Sequence, residues 1–198
     1  MESKPELQTG EALGATFDEK AATQAAAFFL SKAGGRLNLM KLIKLLYFAD
    51  REAIAARGVS ITGDDAYAMD NGPVLTRIYD LMKGALIRTR CKYWSEHISE
   101  RDGFDVSLML DPGSASLSEI ETEILGRVWD KLGRLDQWEL SRLSHALPEW
   151  SAPDGSSRRI PLARILEAMG VPKEKIVEFE RQERESLKDR EEMLRLIG

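Results

Sequence analysis

The run LNLMKLIKLLYFADREAIAARG, from Leu37 to Gly58, constrains this chain more than any other stretch. Leu39, Leu42, Ile43, Leu46, Ala49, Ala53 and Ile54 recur at the three-and-four spacing of one helix face, and Leu45 and Phe48 widen the apolar arc beyond a single stripe. A helix this apolar belongs in the interior of a domain. Lys41, Lys44, Arg51 and Glu52 fall near one edge, so the expected element is buried on most sides and open along a narrow charged strip. That strip is the first place to look for function.

The flanking segments read as further helices with a small amount of strand. Thr16 and Glu19 form a capping pair before an Ala-rich helix over Phe17 to Ala33, whose buried face is Ala22, Ala25, Ala26, Phe29 and Leu30, and Gly34 and Gly35 end it. Gly58 stops the central helix, and the stretch to Gly72 reads as extended chain turning at Gly63 and Asp64. Asp70 or Asn71 is expected to cap a third helix with Pro73 in its first turn, carrying Val74, Leu75, Ile78, Leu81 and Met82 and stopping at Gly84. Two alternating runs follow, one holding Cys91, Tyr93 and Trp94, the other Phe104, Val106, Leu108 and Leu110; Arg101-Asp102-Gly103 would join them as a hairpin. With Ile61 to Met69 they would make a three-stranded antiparallel sheet.

Helical spacing returns at Ser118 to Leu132 and Asp136 to Ser144, each opened by a capping box. Pro148 to Arg159 reads as a loop, Pro161 to Gly170 as a short helix, and the segment from Pro172 as a highly charged helix with a thin apolar stripe. The expected fold is mainly α (α+β): a compact helical domain around a buried central helix, with a small three-stranded antiparallel sheet and a charged C-terminal helix. Its expected divisions are a flexible N-terminal arm over 1–15, a globular domain over 16–153 and a C-terminal helical extension over 154–198.

Composition narrows the function. With 198 residues, 43% of them hydrophobic, the chain can bury a sizeable core, and its apolar runs are far too short for a membrane span. The polar N-terminus lacks the order of a secretory signal, and Cys91, the single cysteine, rules out an intrachain disulfide, so a cytoplasmic location is expected. A formal charge of -5 argues against a dedicated nucleic-acid surface and favours a protein partner. No zinc-ligand spacing, phosphate-binding glycine loop or nucleophile elbow is present, so neither catalysis nor a metal or cofactor is expected. Asp50, Asp64, Asp65 and Asp70 would converge on a cation if the loop folds back over the central helix, but turn and cap chemistry is the stronger account. His145, beside the Pro148 to Trp150 turn, reads as a residue that locks a loop.

Three separated blocks carry a resemblance: LIKLLYFADREAI at Leu42 to Ile54, GPVLTRIYD at Gly72 to Asp80, and LSRLSHALPEW at Leu140 to Trp150. In order and spacing they are similar to the Panacea antitoxin domain, also called SocA-like or phage-associated GepA-like, over roughly Phe17 to Pro153. The resemblance implies a mainly helical, non-enzymatic domain, here 16–153, acting as antitoxin in a bacterial or prophage toxin–antitoxin pair. It implies neutralisation of a cognate protein toxin by direct binding or, as the alternative, an adaptor that delivers the toxin to the ClpXP protease. A homodimer is a further option, and nucleic acid is not an expected partner of this chain alone. The expected contact surface is Lys44, Asp50, Arg51, Asp70, Asn71, His145 and Trp150, because the family blocks include polar positions that packing alone does not require. A second surface is the charged face of the last helix at Glu180, Arg184, Lys188 and Arg195.

Overall fold

A computed structural model describes residues 17–84, 92–153, 155 and 157–197. The arm expected over 1–15 and the strand expected around Cys91 lie outside the described residues.

Helix α1 (Glu19–Lys32) is capped by Asp18, whose carboxylate accepts the Ala21 amide, so the helix begins after Phe17 rather than at it. Its Ala22, Ala25, Ala26, Phe29 and Leu30 are all fully buried, as the small-residue face requires for close helix packing. Strand β1 (Arg36–Asn38) leads into α2 (Leu39–Arg57), capped by the Asn38 side chain and ended by Gly58 in the left-handed conformation. The central helix is interior, as its apolar arc implies: Leu42, Leu45, Leu46 and Ala53 have no exposed surface. It touches α1, the later helices over Glu119–Leu132, Gln137–His145 and Leu162–Ala168, and the strand Gly72–Leu75, so most of the core is assembled on it.

The expected third helix is corrected here. Residues from Gly72 first continue as strand, pairing β2 (Ala66–Met69) with β3 (Gly72–Leu75) in antiparallel register, Met69 opposite Gly72 and Ala68 opposite Pro73. Asp70 and Asn71 are therefore the hairpin turn, not a helix cap. Helix α3 starts only at Thr76 and runs to Met82. The expected hairpin is also corrected where it is described, because Tyr93 and Trp94 lie in helix α4 (Lys92–His97) and β4 (Asp105–Ser107) pairs instead with β1. That register faces Leu37 with Val106, both buried, while Phe104 and Leu110 stay exposed at 80% and 59%.

Helices α5 (Glu119–Leu132) and α6 (Gln137–His145) carry the expected capping boxes, Ser118 with Glu121 and Asp136 with Glu139. The segment read as loop before Pro161 contains β5 (Arg158–Arg159), which pairs with β2, so the three-stranded sheet is β3-β2-β5. Then come α7 (Leu162–Ala168) and the 25-residue α8 (Lys173–Ile197). Ile160, Ile165, Leu166 and Ile176 from this last part join the shared core. Mainly helical with two small antiparallel sheets, the fold is α+β. Among the described residues, no helix is long and apolar enough to cross a membrane.

Candidate functional site

The β2–β3 turn is held through its main chain by three side chains from three parts of the fold. The Trp150 indole donates to the Met69 carbonyl at 3.3 Å, Ser141 Oγ donates to the Asn71 carbonyl at 3.1 Å, and Lys44 Nζ donates to the Pro73 carbonyl at 2.7 Å. Between them Gly72 adopts a φ of +91°, and a Cβ there would sit 2.3 Å from Ser144 Oγ and 2.9 Å from Lys44 Nζ. The His145 ring lies against Trp150, with centroids 4.3 Å apart. Its buried Nε2 has no hydrogen-bond partner among the described residues. Lys44 itself has no exposed surface, and loss of hydration pushes its amine down to about 7.

Glu149, next to Trp150, is fixed from α2. Its carboxylate accepts the Tyr47 hydroxyl at 3.0 Å and a forked pair of bonds from the Arg51 guanidinium. The Glu149 side chain has 0% exposure and that of Arg51 13%, so this ion pair is structural and little screened. Burial, then the adjacent Glu149 charge, pushes the Tyr47 hydroxyl above its ordinary range.

Asp50 and Asp64 do come together around the 60–65 loop, and both do cap and turn chemistry. Asp50 accepts the Ile61 and Thr62 amides at 2.9 and 3.1 Å and the Thr62 hydroxyl. Asp64 accepts the Arg77 and Ile78 amides at 3.2 and 2.9 Å, capping α3 from outside its own segment, since Leu75 at the cap position has no side-chain acceptor. Burial raises both carboxyls, to about 7 and about 6. Asp65 pairs with Arg159, and Asp70 is exposed at the hairpin turn, away from that loop's cap network. Among the described residues, no group of three or more His, Cys, Asp or Glu could hold a metal ion.

Of the residues expected at the contact surface, Asp70, Asn71, His145 and Trp150 meet at the hairpin turn, the first two exposed and the others half-buried. Lys44 and Asp50 are interior: Lys44 supports the turn from beneath, Asp50 instead holds the 60–65 loop, and Arg51 is bound to Glu149, next to Trp150. Sequence reading missed Trp138 and Leu143 as surface residues, exposed at 56% and 41%. α6 instead buries Leu140, Ser141 and Ser144, because its inner side must fit closely over the turn and spend hydroxyls on carbonyls. Trp138, Arg142 and His145 are spaced four and three apart, so they share one side of α6. That spacing was the available signal. On α8, Arg184 and Lys188 are exposed and Glu180 is half-buried, whereas the Arg195 side chain lies outside the described residues.

No curated protein and no solved structure matches the chain. Comparison with known families matches residues 42–151, more than half of the 198, to the antitoxin SocA-like, Panacea domain. The matched span runs from the first turn of α2 through the hairpin and α6 to Ser151, just past Trp150, and so contains every part of the turn's support. This chain belongs to the SocA-like Panacea antitoxin family.

Proposed function

We propose that this chain is the antitoxin of a bacterial or prophage toxin–antitoxin pair and neutralises its cognate protein toxin by direct binding, without catalysis of its own. Family membership supports the antitoxin role. The observation that carries the binding mode is the hairpin turn: Asp70 and Asn71 point away from a rigid main-chain support, beside an α6 side bearing an exposed tryptophan. Tryptophan and arginine are the residue types that most often anchor protein interfaces, and Trp138 and Arg142 stand together there. The proposed contact surface is Asp70, Asn71, Trp138, Arg142, His145 and Trp150. The exposed face of α8 at Arg184 and Lys188 is the second candidate, although Arg181 on that helix already pairs with Glu178 and Glu185.

The test is coexpression with the product of the neighbouring reading frame as candidate toxin, in strains with and without ClpX, scored by growth, toxin level and copurification. Direct neutralisation gives rescue and a stable complex in both strains. Rescue confined to the ClpX-containing strain, with toxin disappearing, would transfer the function to an adaptor that delivers toxin to the protease. Absence of rescue in either strain would overturn the antitoxin reading for that pair.

A further inference from the structure

The chain has two asparagines, and the fold uses their side chains in opposite ways. The Asn38 carboxamide is spent on the start of α2, where its oxygen accepts the Met40 and Lys41 amides, and the next residue is Leu39. Asn71 stands exposed at the β2–β3 turn, and the next residue is Gly72. Because the turn is gripped by its main-chain carbonyls, the Asn71 carboxamide takes no part in the hold, and no hydrogen bond from a described residue occupies it.

An exposed carboxamide ahead of a glycine is a reactive pair, since glycine has no Cβ to screen its amide nitrogen. The Gly72 nitrogen gives up its proton and bonds to Cγ of Asn71; the Cγ–Nδ2 bond breaks and ammonia leaves. Water then opens the five-membered imide at one carbonyl or the other, giving aspartate, or isoaspartate with one extra methylene in the main chain.

Geometry governs how fast the ring closes. Asp70 and Asn71 have negative φ and Gly72 is left-handed at +91°, the pattern of a type I turn closed by a glycine. The second central residue of such a turn has ψ of about 0°. Closure therefore needs a large rotation about the Asn71 Cα–C bond, which carries the Asn71 carbonyl with it. That carbonyl is the one Ser141 Oγ holds at 3.1 Å, and the Met69 and Pro73 carbonyls on either side are pinned by Trp150 and Lys44. The grip that displays Asn71 also resists its chemistry.

We propose that Asn71 is a deamidation site whose rate is held down by the main-chain grip on the turn, so that the native amide persists while the grip is closed and becomes a carboxylate once it opens. The product sets a second negative charge beside Asp70. Its effect on toxin binding rests on the contact surface proposed above; the chemistry does not.

The purified full chain, its Ser141→Ala and Trp150→Phe variants and a peptide of residues 66–75 are incubated at mildly alkaline pH and followed by peptide-mapping mass spectrometry. The peptide should convert fastest and the native chain slowest, with Asn38 unchanged throughout. Ser141→Ala should convert Asn71 about fivefold faster than the native chain, the factor that one intramolecular hydrogen bond is worth. Trp150→Phe, which frees the Met69 carbonyl from outside α6, keeps the test open should Ser141→Ala fail to fold, and hydrogen exchange in α5 separates release of the turn from general unfolding. A native rate matching the peptide's, or folded variants no faster than the native chain, zero conversion included, would overturn the proposal. Toxin copurification with fully aged native chain and with Asn71→Asp then reads the consequence: unweakened binding by both would sink the hairpin surface and leave the modification site standing.

Discussion

An ammonium enclosed by protein, with the neutral Pro73 carbonyl 2.7 Å away, loses more hydration than one acceptor replaces, which is why Lys44 titrates near 7. In the unfolded chain it returns to about 10.4. Between those values the unfolded state holds the extra proton, so stability rises with pH through this window by up to about 1.4 kcal/mol per unit. Asp50 has the opposite sign: its folded carboxyl, near 7, holds the proton more tightly than the unfolded one, so its contribution falls as pH rises from about 4 to 7. Urea midpoints measured from pH 5 to 9.5 should therefore show a smaller alkaline rise in Lys44→Met, and a smaller acid-side gain in Asp50→Asn, than in the native chain. Parallel curves would show that neither group titrates as its burial implies. Gly72 gives a second residue-scale prediction. Gly34 has a φ of +83° with open space around it, whereas Gly72, at +91°, faces Ser144 and Lys44. Gly34→Ala should cost about 1 kcal/mol and Gly72→Ala at least about 1 kcal/mol more, by urea denaturation. The sequence placed Lys44 at the edge of an apolar arc, and periodicity could go no further. Its burial depends on a carbonyl from a hairpin that helical spacing does not register.

Elements were legible where their signals were local. The stop at Gly58 and the two capping boxes of α5 and α6 sit within a few residues of the turns they control. α3 was misplaced because its cap is remote: Asp64 stands thirteen residues before the Arg77 amide it accepts. Asp64→Ala should cost about 1–2 kcal/mol, the range for losing an N-cap acceptor, and should speed hydrogen exchange at Arg77 and Ile78 more than in α5. Equal protection in both helices would remove Asp64 from that role. Strand β4 was given the wrong partner for a related reason. Alternation marks a strand but not its neighbour, and Val106 finds Leu37 across a long stretch of chain.

At the scale of the molecule, α8 is seated on the body by Ile176 and by Phe179, whose ring lies where a Cβ on Gly58 would be, 2.5 Å away. Phe179→Ala should cost about 1–3 kcal/mol and make α8 the first site of limited proteolysis, read by mass spectrometry of the fragments. If α8 resists cleavage in that variant, its seat lies elsewhere. The proposed toxin surface makes a contrasting demand. Asp70→Lys and Trp138→Ala touch exposed side chains, so stability should move by no more than about 0.5 kcal/mol while copurification with the toxin is lost. Undiminished complex formation by both variants would remove this face from consideration. Four residues of that proposed face, Asp70, Asn71, His145 and Trp150, were already candidates in the sequence. The remainder was not, because which side of α6 turns outward is decided by the fit of Ser141 and Ser144 over the turn. The body grips residues 69, 71 and 73 by carbonyl oxygens, atoms that all twenty amino acids possess. On the proposed contact, letters 70 and 71 need satisfy only the turn and the toxin, so they can change with the toxin while the core stays as it was.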